Sequence, residues 1–340
     1  MDMAKKIGFL SFGHWQPVHG SQVRTAADAL LQTIELAVAA EELGVSGAYA
    51  RVHHFARQLA SPFPLLAAMG ARTTSIELGT AVIDMRYENP LYMAEDAAAA
   101  DLISGGRLQL GLSRGSPETA LDGSQSFGYF PADGETDADM ARDHTALFRE
   151  AIAGTAVARA NPQMGAIGGL AITPQSPGLS DRIWWGAGTR ATAVWTAEQG
   201  MNLMSSTLLT EDTGVPFDEL QAEQIQMFRD AWKKAGHERE PRVSVSRSIL
   251  PIIDDETRHY FGVRSQADAN DQVGHLDADT IARFGRSFIG EPDEIAADLA
   301  KDAAVAAADT VLVTVPNQLG VDFNARILDA IVKDVVPALG

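Results

Sequence analysis

An arginine set among small residues is the first feature of this 340-residue sequence whose chemistry can be interpreted. Arg114 lies in the segment SRGSP (113–117), directly after the apolar segment RLQLGL (107–112), which predicts a buried strand. A cation and small residues just past the carboxyl end of a strand are what α/β enzymes use to hold an anionic ligand. We therefore predict that Arg114 binds an anion.

A second segment, WWGAGTRAT (184–192), predicts a site for the same anion. Gly188 lets backbone N–H groups approach a ligand, the helix that follows adds its partial positive charge, and Thr189 and Thr192 offer hydroxyl donors. Together with Arg114, this arrangement is typical of a phosphate site. The alternative is that Thr189 is a plain N-cap residue and that the glycine serves the turn.

Two adjacent histidines, His53 and His54, follow a predicted strand over residues 47–52. Because neighbouring residues of an extended segment point in opposite directions, we expect one to face a site and the other to support it. A histidine with a pKa near neutrality can move a proton there. As a metal site the pair lacks a third nearby ligand, so no metal is predicted. The alternative is a pair of partly exposed loop histidines.

The predicted strand 76–83 ends in small and branched residues, Ala81 and Val82 among them. A large flat ligand could pass close over such an end, but an ordinary core strand is the alternative. Arg247, Arg258 and Arg264 flank a long segment near residues 254–287, and in a chain this acidic we expect them to be solvated.

The composition narrows the class of protein. The formal charge of −18 disfavours nucleic acid and anionic membrane surfaces as partners. The absence of cysteine excludes disulfides and thiolate chemistry. No run of eighteen apolar residues and no secretory signal pattern is present, so we expect a cytoplasmic protein with no membrane span.

The elements that must position these residues alternate along the chain as strand and helix. Eight strands are predicted, each followed by a helix. The strands cover residues 7–12, 46–50, 76–83, 107–112, 183–186, 202–205, 243–250 and 310–315. This is the plan of a (β/α)₈ TIM barrel, here a single domain over residues 1–340. An open doubly wound sheet is disfavoured because no Gly-x-Gly-x-x-Gly follows the first strand. Segments 118–137, 161–181 and 254–287 are predicted insertions on the active-site face.

Five strings of sequence, in this order, resemble the bacterial luciferase-like flavin-dependent monooxygenase family. They are ELAVAAEELGVSGAYARVHHF, IELGTAVI, NPLYMAEDAAAADLISGGRLQLGLSRG, WWGAGTRATAVWTAEQGMNL, and FIGEPDEIAADLA with ADTVLVTVP. The resemblance implies a (β/α)₈ barrel in which reduced FMN binds at the barrel mouth and, with O₂, oxidises a small organic substrate such as an aldehyde or other carbonyl compound. A separate flavin reductase would supply the reduced FMN.

The resemblance also assigns roles to individual residues. It places a catalytic histidine at His53, where Val52 stands in place of the family's glutamate, and a non-prolyl cis peptide under the flavin at Ala81-Val82. It implies that the flavin phosphate is held by Arg114 and by Gly188, Thr189 and Thr192. Ser113 occupies the position of a reactive cysteine near the flavin.

Two alternatives to this activity fit the same pattern. One is an F420-dependent oxidoreductase of the same fold, and the other is a non-catalytic flavin-binding protein. In either case the family resemblance predicts a homodimer, and the alanine-rich segment 94–100 would permit close packing of helices between subunits.

Overall fold

The computed structural model describes residues 5–115, 119–211, 214–262, 272–275 and 281–339. Eight parallel strands close into a barrel in which the first and last strands pair. They are β1 (Lys6–Ser11), β2 (Gly47–Ala50), β3 (Glu77–Asp84), β4 (Leu108–Ser113), β5 (Ile183–Ala187), β6 (Asn202–Ser205), β7 (Val243–Arg247) and β8 (Thr310–Thr314). Each strand pairs with its neighbours in sequence order, so the predicted (β/α)₈ barrel is confirmed.

Helices surround the barrel. The longer ones are α1 (Ala26–Glu42), α2 (Pro62–Arg72), α3 (Pro90–Ile103), α4 (Asp137–Ile152), α5 (Arg190–Glu198), α6 (Phe217–Ala235), α7 (Pro292–Leu299) and α8 (Val321–Ala330). Short helices cover Gly123–Ser126, Asp255–Phe261 and Ala303–Ala307. No helix in the described part of the chain is long and apolar enough to cross a membrane.

Helix α3 shows how the sequence sets an element's ends. Asn89 is its N-cap and accepts hydrogen bonds from the N–H groups of Leu91 and Tyr92, while Pro90 occupies the first turn, where a missing N–H has no cost. The helix ends at Ser104, and Gly105 and Gly106 follow with φ of 71° and 83°, a region that favours glycine.

Four of the five alanines of α3 are buried within the subunit. Ala94, Ala97, Ala98 and Ala100 are at most 2% exposed because they pack against neighbouring elements of the same chain. They are therefore not available for close packing between subunits, and that reason for expecting a dimer was wrong.

Large side chains fill the interior of the barrel beneath the carboxyl ends of its strands. Tyr49, Trp184 and Met204 form a cluster with Leu10 and Leu312. Room for the Tyr49 ring comes from a glycine on the next strand, because a Cβ at Gly79 would lie 2.5 Å from the ring. The filled interior leaves the carboxyl ends of the strands as the place for a ligand.

Additional short strands lie outside the barrel. Leu208–Leu209 pairs with Ile281–Phe284, which pairs with Gln272–His275; Ile249–Pro251 pairs with Phe288–Gly290; and Ala156–Arg159 forms a hairpin with Gly169–Ala171. The predicted strand 243–250 is therefore two strands, and its second part leaves the barrel. Two separate helices cover Pro292–Leu299 and Ala303–Ala307, because Asp302 caps the second by accepting a hydrogen bond from the N–H of Val305.

One of the three predicted insertions lies on the other face of the barrel. Segments 118–137 and 254–287 follow β4 and β7, on the carboxyl side, although residues 116–118, 263–271 and 276–280 lie outside the described part. Segment 161–181 instead connects the end of α4 to the start of β5, so it lies at the amino-terminal ends of the strands. Its prediction as an active-site insertion was wrong, because a connection from helix to strand returns to the opposite face.

Two charged residues of the segment 90–115 hold the fold together away from the mouth. Asp101 is fully buried and accepts hydrogen bonds from Arg182, from Ser176 Oγ at 2.6 Å and from the N–H of Leu108 at 3.0 Å. Arg107 donates to backbone carbonyls that include those of Gly70 and Thr73, at the end of α2. These residues support the barrel and are not ligand-binding groups.

Candidate active site

A cavity of about 340 Å³ opens among the carboxyl ends of the barrel strands. All eight residues selected from the sequence line it: His53, Ala81, Val82, Ser113, Arg114, Gly188, Thr189 and Thr192. They come from β2, β3, β4, β5 and the segments that follow them, so elements far apart in sequence meet at one place.

The turn into α5 forms one wall of this cavity. Thr189 is the N-cap, and its hydroxyl accepts from the N–H of Thr192 at 3.2 Å and donates to Thr192 Oγ1 at 2.9 Å. The N-cap role that was considered as an alternative is therefore real. It does not exclude an anion, because the cap orients the Thr192 hydroxyl at the rim of the cavity. Close approach of the chain here requires Gly188, whose added Cβ would lie 3.0 Å from the carbonyl oxygen of Leu208.

Arg114 lies on the rim, at the end of β4. Its side chain is exposed, and within the described residues it forms no ion pair. The loop is shaped by its neighbours: Gly115 has a φ of 88°, and a Cβ there would lie 2.3 Å from the guanidinium of Arg86. The Ser113 hydroxyl accepts from the Gly115 N–H at 3.1 Å, which fixes the turn. Arg114 is therefore held at the mouth with its charge available to a ligand.

The peptide bond between Ala81 and Val82 is cis, as the family resemblance implied. The pairing of β3 with β4 shifts its register between Thr80 and Ile83, around this bond. Both residues line the cavity. Opposite them, a Cβ at Gly186 would touch Val82 at 3.4 Å, so small residues keep this part of the cavity open.

His53 lines the cavity, and its imidazole is a hydrogen-bond acceptor. Arg51 Nε donates to His53 Nε2 at 2.7 Å, and the backbone N–H of His53 is bound by the carbonyl of Leu59. Burial, and next the charge of Arg51, lower the pKa of His53 to about 4, although Asp84 acts in the opposite direction. The expectation of a pKa near neutrality was wrong, because burial at the barrel mouth and the charge of Arg51 both disfavour the protonated ring.

His54 turns away from the cavity and packs among aromatic rings. It stacks on Tyr87 with centroids 4.2 Å apart and meets Phe127 edge-on at 5.2 Å. Burial lowers its pKa as well. The two histidines thus point in different directions, with one at the cavity and one in a supporting cluster.

Several lining residues were missed by the sequence analysis. Arg51 could have been found, because it lies two residues before His53 and so on the same side of an extended segment. Asp84 also lines the cavity, and Arg86 holds it through Nη2 at 2.5 Å. A wall of hydroxyl groups lies at the carboxyl ends of β6 and β7 and is formed by Ser205, Ser206, Thr207, Thr210 and Ser246. The signal for this wall was the run SSTLLT directly after a predicted strand.

The arginines near the segment 254–287 differ in their exposure and their partners. Arg247 is 4% exposed and forms two hydrogen bonds with Asp302, at 2.8 and 2.9 Å, so the expectation that it is solvated was wrong. Arg258 is exposed and pairs with Glu291. Arg264 lies outside the described residues.

No group of three His, Asp or Glu side chains among the residues described here is arranged to hold a metal ion. The site therefore consists of a partly apolar cavity with Arg114 and the threonine turn at its rim, a histidine that is neutral at pH 7, and a row of hydroxyl groups. Such a cavity fits an organic cofactor that carries a phosphate.

Comparison with known proteins agrees with this architecture. The family profile described as luciferase-like monooxygenase matches residues 7–310. An uncharacterised protein of Sinorhizobium fredii, y4wF, is 30% identical over 154 residues, which cover 45% of this chain and 42% of that protein. The oxygenase component of the flavin-dependent trigonelline monooxygenase of Acinetobacter baylyi is 31% identical over 110 residues, 32% of this chain and 30% of that protein. The matched segments thus span less than half the length of these curated relatives.

Solved structures share the fold over nearly the whole chain. The monooxygenase RslO1 from Streptomyces bottropensis superposes with a TM-score of 0.75 at 21% identity, covering 98% of this chain and 100% of that one. The oxygenating constituent of 3,6-diketocamphane monooxygenase from Pseudomonas putida, in complex with FMN, gives 0.71 at 16% identity, with coverage of 98% and 99%. An F420-dependent tetrahydromethanopterin reductase from Methanopyrus kandleri gives 0.67 at 15%, with coverage of 99% and 100%.

Proposed function

The chain belongs to the luciferase-like monooxygenase family, and from this premise we propose that it is a flavin-dependent monooxygenase. It would use reduced FMN and O₂ to oxidise a small organic substrate, such as an aldehyde or another carbonyl compound. The observation that carries the proposal is the convergence on one cavity of the eight residues that the resemblance selected.

The residues at the cavity fit the proposed cofactor. Arg114 supplies a charge with no ion-pair partner in the described chain, and Thr192 supplies a hydroxyl beside the first turn of α5. A phosphate needs both kinds of donor. The small residues at Ala81 and Gly186 leave room for a flat ring system between the strand ends. Reduced FMN, when bound, would supply the electrons with which O₂ is activated.

His53 is proposed as the residue that handles a proton during substrate oxidation. At neutral pH the imidazole is uncharged, because its pKa is about 4. A neutral imidazole can accept or donate a hydrogen bond and can pass a proton between a reacting group and its surroundings. His54, within its aromatic cluster, would keep the neighbouring loop in place.

Partners and location follow from the same proposal. The trigonelline enzyme is named as an oxygenase component, which supports a separate reductase that supplies reduced FMN. We also propose that residues 1–340 form one domain, that the protein is a homodimer, and that it works in the cytoplasm. Nucleic acid and membranes are not among the proposed partners, in view of the formal charge of −18.

An F420-dependent oxidoreductase is the second candidate, favoured by the fold shared with the F420-dependent reductase. A non-catalytic flavin-binding protein is the third. Anaerobic titration with reduced FMN and, separately, with reduced F420 distinguishes the first two. We expect reduced FMN to bind at least about tenfold more tightly. The reverse order would favour F420, and failure of both to bind would contradict all three candidates.

Mixing the reduced complex with O₂ separates an enzyme from a binding protein. An enzyme should reoxidise bound flavin with kinetics that differ from those of free reduced FMN. The rate should return to that of free flavin when Arg114→Ala prevents binding at the concentrations used. Reoxidation that is identical with and without the protein, although FMN binds, would favour the non-catalytic candidate.

A further inference from the structure

The guanidinium of Arg51 lies at the cavity end formed by β2 and is held firmly. Its backbone N–H donates to the carbonyl of Ser11 at 2.9 Å. Its Nε donates to His53 Nε2 at 2.7 Å, and its Cζ lies 5.1 Å from the centre of the Phe12 ring. The side chain lines the cavity beside His53. These contacts fix the guanidinium through Nε and its face, and leave its two Nη groups for a further partner.

No counter-charge for Arg51 is present in the described part of the chain. Its single side-chain hydrogen bond is to an imidazole, and it forms no ion pair with a described carboxylate. Asp84 is the one acidic residue among the described residues that line the cavity, and both of its carboxylate oxygens accept hydrogen bonds from Arg86. Burial lowers the pKa of Arg51, but a guanidinium keeps its charge in proteins. A partly desolvated cation without a partner favours an oxyanion at this point.

The anion that Arg51 would bind is separate from the phosphate assigned to the rim. Arg114 and the threonine turn belong to β4 and β5, whereas Arg51 follows β2 on the other side of β3. A planar fork of N–H donors matches a carboxylate, which can bind both Nη groups. We propose that Arg51 binds the carboxylate of the substrate, so that this protein acts on a small organic acid. The inference rests on the proposed function insofar as the substrate binds in this cavity.

Binding of matched acids and amides tests the inference without any flavin. The probes are benzoate and hexanoate, compared with benzamide and hexanamide, and their affinities are measured by saturation-transfer NMR on the flavin-free protein. We expect each acid to bind at least about fivefold more tightly than its amide. The chain carries a formal charge of −18, so its overall field opposes this preference. The preference therefore has to come from a local cation.

Three glutamine variants identify that cation. Arg51→Gln should abolish the preference for acids and leave amide binding unchanged. Arg57→Gln, which removes an exposed arginine that packs over Trp15, should leave it intact. Arg114→Gln removes the other cation of the cavity, so a preference for acids that remains in this variant does not come from the rim. The proposal would be overturned if the acids failed to bind or bound no more tightly than the amides. It would also be overturned if the preference for acids survived in Arg51→Gln or disappeared in Arg114→Gln.

A measurement on the unaltered chain covers the case in which Arg51→Gln does not fold. The Nε–H resonance of Arg51, assigned by comparison with Arg51→Lys, should shift saturably with benzoate and not with benzamide. An Nε–H resonance that ignores benzoate would overturn the proposal.

The cofactor is the other possible source of an oxyanion. The proposal fails if Arg51→Gln weakens the binding of FMN and of riboflavin equally, by about tenfold, and if FMN displaces benzoate. Arg51 would then contact the flavin ring instead of the substrate. Failure of the proposed function gives a different result: the protein would not bind flavin, but it would still prefer acids to amides.

Discussion

His53 is kept neutral by its neighbours, and this single property determines what it can do. The desolvated ring accepts a hydrogen bond from Arg51, which cannot serve as an acceptor itself. The proton of the neutral ring is therefore on Nδ1, and Nε2 is the acceptor. Arg51 thus orients the imidazole through its hydrogen bond to Nε2, and Val52 has no polar group that could do so.

The protonation of His53 should follow its lowered pKa. The folded-state pKa is about 4, against an ordinary value of 6.5. We expect the His53 ring resonances to stay in the neutral form at pH 5. Because the unfolded chain binds the proton first, the stability associated with this ring is present above pH 6.5 and is lost as pH falls from 6.5 through 4. Half-protonation near pH 6.5 by NMR titration, with His53→Gln for assignment, would contradict this.

Replacing His53 should separate binding from turnover. His53→Ala is expected to keep FMN affinity and to slow substrate oxidation by about 10²–10⁴-fold, the usual contribution of positioned proton transfer. His54→Ala should instead lower the thermal midpoint of unfolding and change turnover less, because it removes a ring from the cluster with Tyr87 and Phe127. Single-turnover oxidation of reduced flavin measures both variants. An unchanged rate and product yield in His53→Ala would remove it from the mechanism.

At the scale of elements, the segment 90–115 has two structural roles. Its end, Ser113 to Gly115, forms the cavity rim, while Asp101 and Arg107 join α2, α3 and β4 near the opposite face. Asp101 receives the Arg182 guanidinium through two hydrogen bonds, at 2.6 and 2.9 Å. The anchoring residues therefore affect the site through the position of β4, without contact to a ligand.

Breaking the Asp101–Arg182 pair should cost stability and leave the chemistry of the site intact. Asp101→Asn keeps the shape and removes the charge from a fully buried carboxylate, so we expect the free energy of unfolding to fall by about 3 kcal/mol. Asp96→Asn changes an exposed carboxylate of the same helix and serves as the control, with a change within about 0.5 kcal/mol. Urea unfolding measures both. Equal effects would show that the buried pair contributes nothing special.

The barrel strands and eight of the residues that line the cavity could be predicted from the sequence, because the signals for them are local. Strand ends followed by small or charged residues located Arg114, Thr189 and His53, and all three line the cavity. What could not be predicted depends on contacts between distant segments. The pKa of His53, the Asp302 partner of Arg247 and the position of segment 161–181 are set by the closed barrel, which no local pattern describes.

At the scale of the whole molecule, the chain is strongly acidic, whereas its cavity is lined by two arginines. The formal charge is −18, yet Arg51 and Arg114 line the cavity and its lining acid, Asp84, is paired with Arg86. The field around the protein therefore opposes the entry of anions, while the cavity attracts them at short range. This contrast favours selection of anionic ligands by specific contacts over general attraction.

The proposed homodimer requires an exposed apolar surface, and α3 offers one after its buried alanines are set aside. Tyr92 is 71% exposed, and Leu102 and Ile103 are 49% and 54% exposed. We expect sedimentation velocity at micromolar concentration to show about twice the subunit mass of 36.3 kDa. Leu102→Lys with Ile103→Lys should shift the protein towards monomer if α3 forms the interface. A wild-type protein that sediments as one 36.3 kDa species would contradict the dimer.

If this cavity binds a flavin by its phosphate, FMN should bind more tightly than riboflavin, and the ratio of the two affinities measures the contribution of the phosphate. Both ligands would be titrated into the wild type, Arg114→Ala, Thr192→Val and the control Arg72→Ala, which removes an exposed arginine at the end of α2. We expect Arg114→Ala to weaken FMN at least about tenfold, because a charge-assisted contact is lost, and to leave riboflavin nearly unchanged. Thr192→Val should give a smaller loss of the same selective kind, and Arg72→Ala none. Equal weakening of both ligands by Arg114→Ala, or wild-type protein that binds FMN no better than riboflavin, would contradict the account.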